Sequence, residues 1–167
     1  MNKAVFIDRD GVVNSDAGHY YVHKPEDFVF NPDIKMALLQ LKKAGFKIVL
    51  VTNQGGVAKG EYSMEDVQHL HNFMQTKLKK VGAAFDGIYV CPHHHSVAEC
   101  DCRKPKPGMI LNAIHDFKIS PTQSFLIGDS DRDIEAGRAA GLQACFKVNK
   151  NSSILKTVEH IIMLSSK

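Results

Sequence analysis

Five short apolar runs, Ala4 to Ile7, Lys47 to Val51, Gly87 to Val90, Ser124 to Ile127 and Ala144 to Val148, recur along the chain with helical patterns between them. Each is short enough for a buried strand, and strands alternating with helices are the signature of βαβ units. Between the first two runs, Ile34, Leu38 and Leu41 fall on one helical face, with Asn31-Pro32-Asp33 as a start signal and Gly45 as a stop. Ser63 to Lys80 reads as a longer helix, with Ser63 and Asp66 at capping-box spacing. Pro107 to Phe117, Arg132 to Ala140 and Ser153 to Leu164 supply three more. No repeat or flexible linker divides the chain. The expectation is one α/β domain over 1–167, a Rossmann-like parallel sheet with helices on both faces. Two segments break the alternation, Val13 to Phe28 and Cys91 to Met109, and both are long enough to be functional loops.

At 167 residues, 44% hydrophobic and 23% charged, the chain can bury a proper core, which argues against disorder. No apolar run approaches the roughly 20 residues that span a bilayer. Met1-Asn2-Lys3 leads into an apolar segment that ends at Asp8 and not at a small-residue cleavage site, so a cytoplasmic location is expected, with no membrane partner. The net charge of +3 is small and the lysines are scattered or paired on helical faces, which gives nucleic-acid binding little support. A monomer is the default for such a domain.

In an open parallel sheet the ligand lies beyond the carboxyl ends of the strands. The residues there are chemically loaded: Asp8-Arg9-Asp10-Gly11 after the first run, Thr52-Asn53-Gln54-Gly55-Gly56 after the second, and Gly128-Asp129-Ser130-Asp131-Arg132-Asp133 after the fourth. The third run leads through a cysteine-rich loop to Arg103-Lys104-Pro105-Lys106. A lone Asp-x-Asp is usually a polar turn, and Gly-Asp after a strand is often a helix cap. Four such groups in order, each at a predicted strand end, point instead to phosphoryl transfer. Asp8 can attack phosphorus to give an aspartyl-phosphate, and Asp10 can donate a proton to the leaving oxygen and later take one from water. Gly11 lets the chain turn so that both acids face one pocket. Asp8 and Asp129 suit Mg²⁺, a hard cation that prefers oxygen ligands. Thr52, Asn53 and Gln54 can hydrogen-bond phosphoryl oxygens, while Lys104 supplies fixed positive charge.

Cys91-Pro92-His93 and Cys100-Asp101-Cys102 form a C-x-H-x6-C-x-C pattern whose three thiolates and one imidazole suit structural Zn²⁺. The last proposed ligand directly precedes Arg103 and Lys104, so the metal would hold the loop that delivers the lysine. His94 and His95 read as polar loop residues, and Cys145 as a buried small hydrophobe.

These motifs, from Asp8 to Asp133, resemble the haloacid dehalogenase (HAD) superfamily of aspartyl-phosphate phosphatases. The resemblance implies that Asp8 is the nucleophile and Asp10 the general acid and base, its main-chain carbonyl also on Mg²⁺. It further implies that Thr52 and Lys104 bind phosphate, that Asp129 completes the metal's protein ligands, and that Asp133 supports Lys104 or the metal's waters. The chain has no room for the helical cap of larger members, so an open, capless site is expected.

The zinc loop before Arg-Lys-Pro is similar to that of the heptose bisphosphate phosphatases and the related histidinol-phosphate phosphatases. Val51-Thr52-Asn53-Gln54, Gly56-Val57-Ala58-Lys59-Gly60, Cys91-Pro92-His93-His94 and Arg103-Lys104-Pro105-Lys106-Pro107-Gly108-Met109 look more like the heptose branch. The resemblance implies removal of the C7 phosphate of D-glycero-D-manno-heptose 1,7-bisphosphate, on the way to nucleotide-activated heptose for lipopolysaccharide. Arg103, Lys59 and Lys106 are available to a second phosphate. Glu26, Asp27, Tyr20 and Tyr21 would suit cationic histidinol phosphate, and a retired, non-catalytic zinc-stabilised binding module is a third reading.

Overall fold

In a computed structural model that describes residues 1–167, the chain forms β1 (Ala4–Ile7), β2 (Asn14–Ser15), β3 (Val29–Phe30), α1 (Ile34–Lys43), β4 (Lys47–Asn53), α2 (Met64–Lys79) and β5 (Gly87–Cys91). There follow α3 (Gly108–Phe117), β6 (Phe125–Gly128), α4 (Asp131–Ala139), β7 (Ala144–Lys147) and α5 (Leu155–Ser165). Five strands make one parallel sheet in the order β5-β4-β1-β6-β7. No helix is long and apolar enough to cross a membrane.

The period-two alternation of a strand decides which layer each residue joins. Val5 and Ile7 of β1, with Ile48 and Leu50 of β4, pack with Leu38 and Leu41 of α1, Leu70 and Met74 of α2, and Val158 and Ile161 of α5. Ala4 and Phe6, with Val49 and Val51, face Met109, Ile110 and Ala113 of α3 and Ile134 and Ala136 of α4. Both faces of β1 are therefore dry, and each fully buried Leu or Ile contributes about 1.5–3 kcal/mol of transfer free energy.

The structure departs from the sequence reading in detail. The strand β4 runs on through the polar Thr52 and Asn53, because both still pair with β5, at Val90 and Cys91. The segment from Val13 is not wholly irregular, since Asn14–Ser15 pairs antiparallel with Val29–Phe30 and a tight 3₁₀ turn occupies Pro25–Asp27. Asp33 precedes α1 in a left-handed conformation and makes no cap bond with its side chain; it accepts instead from the Ser153 hydroxyl, and α5 starts two residues after Ser153, at Leu155. The Ser63–Asp66 capping box forms as expected, with reciprocal bonds of 3.1 and 2.9 Å. Cys145 is only partly buried.

Candidate active site

Because β1 lies between β4 and β6, the three central strands end side by side, and the polar residues that follow them meet above that rim. Asp8 leaves β1, Asp129 leaves β6, and Asp133 stands in the first turn of α4. One carboxylate oxygen from each lies within 4.8 Å of the others. Gly11 makes this approach possible: its φ is +87°, and a Cβ there would lie 2.2 Å from Asp129 Oδ2.

Lys104 reaches the cluster from the loop after β5, 96 residues from Asp8 in sequence. It is 3% exposed. Its Nζ donates to Asp8 Oδ1 at 2.8 Å and to the Val51 carbonyl at 2.8 Å, and it pairs with Asp133 Oδ1 at 2.7 Å. All three ammonium hydrogens thus have partners. Asp133 Oδ2 accepts from the main-chain N–H groups of Asp129 and Ser130, each at 3.1 Å. Three carboxylates share the one ammonium that bonds to the cluster, with Lys150 acting on Asp129 from the cavity mouth, so the cluster carries excess negative charge when all are ionised.

Titration reflects that imbalance. Burial, opposed by Lys104 and reinforced by Asp133 and Asp129, pushes Asp8 up to about 8. Burial and then Asp133 raise Asp129 as well. Asp133 is held below its ordinary value, because Lys104 and Ser130 together outweigh its burial. An all-oxygen acidic cluster that holds a proton for want of positive charge fits a hard divalent cation such as Mg²⁺. The sign of the pH dependence follows. Below about 8 the cation must displace the Asp8 proton, so Mg²⁺ affinity falls by about tenfold per pH unit from pH 8 to pH 6. Calorimetry in buffers of different ionisation enthalpy measures this as close to one proton released per site at pH 7; affinity that stays level from pH 6 to 8 would contradict it.

Asp10 is not part of this cluster. Its carboxylate accepts from the fully buried Arg9 (Nη2 at 2.8 Å), from Asn14 Nδ2 at 3.1 Å and from Gln54 Nε2 at 3.1 Å. Burial pushes Asp10 up, but Arg9, Asn14 and Gln54 together hold it below the usual carboxylate value. Arg9 in turn meets His71 of α2 at 3.2 Å and donates to the Val22 carbonyl. His71 is driven down to about 3 by burial and by Arg9, so it stays neutral.

The remaining sequence-predicted residues fall into place unevenly. Asn53 lines the cavity above the acidic cluster, but its amide exchanges two bonds with the main chain of Lys104, at 3.0 and 3.1 Å. Gln54 is buried and bonds Asp10, Thr52 and Tyr62 instead of opening to the cavity. Thr52 is 1% exposed, and its hydroxyl accepts from Gln54 at 2.8 Å.

Cys91, His93, Cys100 and Cys102 converge, with Cys91–Cys100 and Cys100–Cys102 sulfur separations of 3.6 Å and His93 Nδ1 3.2 Å from Cys102 Sγ. No disulfide joins them. Three thiols and one imidazole gathered within 4.8 Å of one another fit the ligand set of a closed structural Zn²⁺ site. Arg103 Nη1 donates to the His93 carbonyl and Lys106 Nζ to the Cys100 carbonyl, so the basic residues brace the loop. A cavity of about 370 Å³ opens beside it, lined by His95, Glu99, Arg103, Lys104, Lys106 and Arg132 among others. It adjoins the cavity of about 160 Å³ above the acidic cluster through Lys104 and Arg132, which line both.

A family model described as HAD-hydrolase-like matches residues 101–149. The D-glycero-β-D-manno-heptose-1,7-bisphosphate 7-phosphatase of Haemophilus influenzae is 47% identical over 145 residues, 84% of this chain and 78% of that protein. The chain belongs to the heptose bisphosphate phosphatase family. The Pasteurella multocida member is 44% identical over 94% of this chain and 83% of its own length. The D,D-heptose 1,7-bisphosphate phosphatase of B. bronchiseptica, solved with magnesium and phosphate, superposes with a TM-score of 0.86 at 28% identity, covering 97% of this chain and 99% of that one.

As a heptose bisphosphate phosphatase family member the chain is a HAD-type hydrolase of phosphoric monoesters. Sequence reasoning missed several residues around its site: Arg9, Asn14, Tyr62 and His71 behind Asp10, and Asp16, Lys150 and Arg132 at the mouth of the cavity. The one signal for Arg9 was an arginine between two acids at the end of an apolar run. Lys150 pairs with Asp16 at 3.1 Å, a contact across 134 residues that no local pattern announces.

Proposed function

We propose that this chain, acting as one domain, removes the C7 phosphate of D-glycero-D-manno-heptose 1,7-bisphosphate through an aspartyl-phosphate on Asp8. The product would feed nucleotide-activated heptose synthesis for lipopolysaccharide. The observation that carries this reading is the 44–47% identity, over more than four-fifths of the chain, to proteins named for that reaction.

Asp8 attacks the phosphorus; Asp10, ionised in the free protein, takes up the proton that the bound phosphomonoester carries, passes it to the departing sugar oxygen and then deprotonates the water that frees the enzyme. Lys104, held between Asp8 and Asp133, places its charge beside the oxygens that become most anionic. Asp133 keeps that ammonium in position, and Asn53 holds the main chain on which it rides. Thr52 donates its hydroxyl proton to the phosphoryl group. Bound by Asp8, Asp129 and the Asp10 carbonyl, Mg²⁺ supplies the charge that neutralises the phosphate oxygens. Cys91, His93, Cys100 and Cys102 would hold Zn²⁺, which would fix the loop that carries Lys104.

The catalytic cavity is smaller than the usual small-molecule site, whereas the neighbouring basic cavity is within the common range of about 300–1,000 Å³. A bisphosphate reacting at Asp8 would extend into that cavity, where Arg103, Lys106 and Arg132 meet its second phosphate. Arg132→Ala should then raise KM for the bisphosphate by about tenfold, the loss of one charged hydrogen bond, with kcat within about twofold. Steady-state kinetics on the bisphosphate and on a monophosphate check this: because Arg132 also lines the smaller cavity, the monophosphate can respond, but the bisphosphate should lose more.

A side-by-side panel of heptose 1,7-bisphosphate, fructose bisphosphate and histidinol phosphate tests the substrate. Preference for the heptose by at least about 100-fold in kcat/KM is expected, and phosphorus NMR should find the C1 phosphate retained. Faster turnover of histidinol phosphate would reassign the substrate.

A further inference from the structure

Tyr62 takes no part in the chemistry described so far, yet the fold makes room for it behind the catalytic rim. A Cβ at Gly56 would lie 2.3 Å from Tyr62 Cε1, so only glycine admits the ring. His23 stacks on that ring at 5.0 Å with the planes 8° apart, and Tyr21 meets it edge-on at 5.4 Å. The phenol is buried and ends on Gln54, donating to Oε1 at 2.6 Å. Burial first of all pushes its pKa up to about 12, so it remains a donor across the working range of pH.

That bond fixes which way the Gln54 amide points. With Oε1 turned to the phenol, Nε2 faces Asp10 Oδ2 at 3.1 Å and Thr52 Oγ1 at 2.8 Å, and both amide hydrogens are engaged. The reversed amide would set a carbonyl against a carboxylate. Thr52, having accepted from Gln54, keeps its own hydroxyl proton for donation. Asp10, held on Oδ1 by Asn14 and Arg9 and on Oδ2 by Gln54 and Arg9, has its carboxylate plane fixed.

We propose that Tyr62 and Gln54 are positioning residues, a relay that sets the direction of the hydrogen bonds at Asp10 and Thr52 before substrate arrives. It rests on the roles given above to those two residues. Neither relay member touches the substrate, and sequence reading had placed Gln54 on the phosphate itself. A relay acting through the general acid must matter most where the leaving oxygen needs a proton. An alkyl phosphate, whose alkoxide is a poor leaving group, should therefore feel its loss more than p-nitrophenyl phosphate.

The test compares kcat and KM for both esters, with Mg²⁺, in the wild type, Tyr62→Phe, Gln54→Glu and the double variant. The alkyl ester is whichever one the wild type turns over, so an error in the assigned sugar leaves the comparison intact, and wild-type turnover itself tests the phosphatase reading. Tyr62→Phe keeps the ring in its stack and should lower kcat on the alkyl ester about tenfold, with KM within about twofold and the aryl ester within about threefold. Gln54→Glu keeps the acceptor for Tyr62 but cannot donate to Asp10, and should cost about 100-fold in kcat. The double variant should be no slower than Gln54→Glu alone, because Tyr62 acts only through Gln54. Equal losses on both esters, multiplicative losses in the double variant, or a Tyr62→Phe enzyme within about twofold of wild type on the alkyl ester would each overturn the relay. Should Gln54→Glu fail to fold by circular dichroism, the ester dependence of Tyr62→Phe decides alone.

Discussion

Asp8→Asn is expected to abolish turnover of every phosphoester, by at least about 10⁴-fold in kcat, since the proposed mechanism gives the attack on phosphorus to this carboxylate alone. The fold should survive. Asn at this position removes a carboxylate that burial and two neighbouring acids already push up to about 8, and Lys104 keeps Asp133 and the Val51 carbonyl as partners. Thermal melts should therefore place the metal-free variant at or slightly above the wild type, and steady-state assays should find no residual rate. A variant that kept even a tenth of the wild-type rate would rule out a covalent intermediate on Asp8.

The second large effect concerns Lys104, where catalysis and stability fall together. Removing one member of a buried ion pair leaves its partner without compensation, which costs about 3–5 kcal/mol. Lys104→Met would do this to Asp133, in a position with 3% exposure, while Asp8, already pushed up to about 8, keeps its proton at neutral pH. A drop in Tm of roughly 10 °C is expected for a domain of this size. Loss of a donor aimed at the developing charge should also lower kcat by about 10²–10³-fold. Adding Mg²⁺ should recover part of the melting temperature but not the rate. An unchanged Tm in metal-free protein would show that the acids are relieved in some other way.

Much of this was legible in the residues alone, for identifiable reasons. The strands were visible because both faces of the sheet are covered, so Ala4–Ile7 and Phe125–Gly128 are continuous apolar runs. Asp8, Asp129 and Lys104 were findable because each directly follows such a run or the loop from one. The hairpin of Asn14–Ser15 and Val29–Phe30 was not, since two-residue strands are too short to show a period. Gln54 was misplaced because an amide two residues after a threonine at a strand end has the same composition whether it faces inward or outward. Its orientation is decided by Tyr62 and Asp10, eight and 44 residues away. Arg9 and His71 were hidden for a related reason: hydrogen bonding between buried polar side chains on different elements leaves no local pattern in the chain.

The position of β1 bears on biosynthesis. This strand is made first yet needs neighbours on both sides, β4 and β6, and the later of these ends at Gly128. On the ribosome, where the amino terminus emerges first, a growing polypeptide would present Asp8 long before Lys104, Asp129 and Asp133 exist. No translation intermediate short of Asp133 can assemble the reactive centre, so chains released early should be catalytically silent.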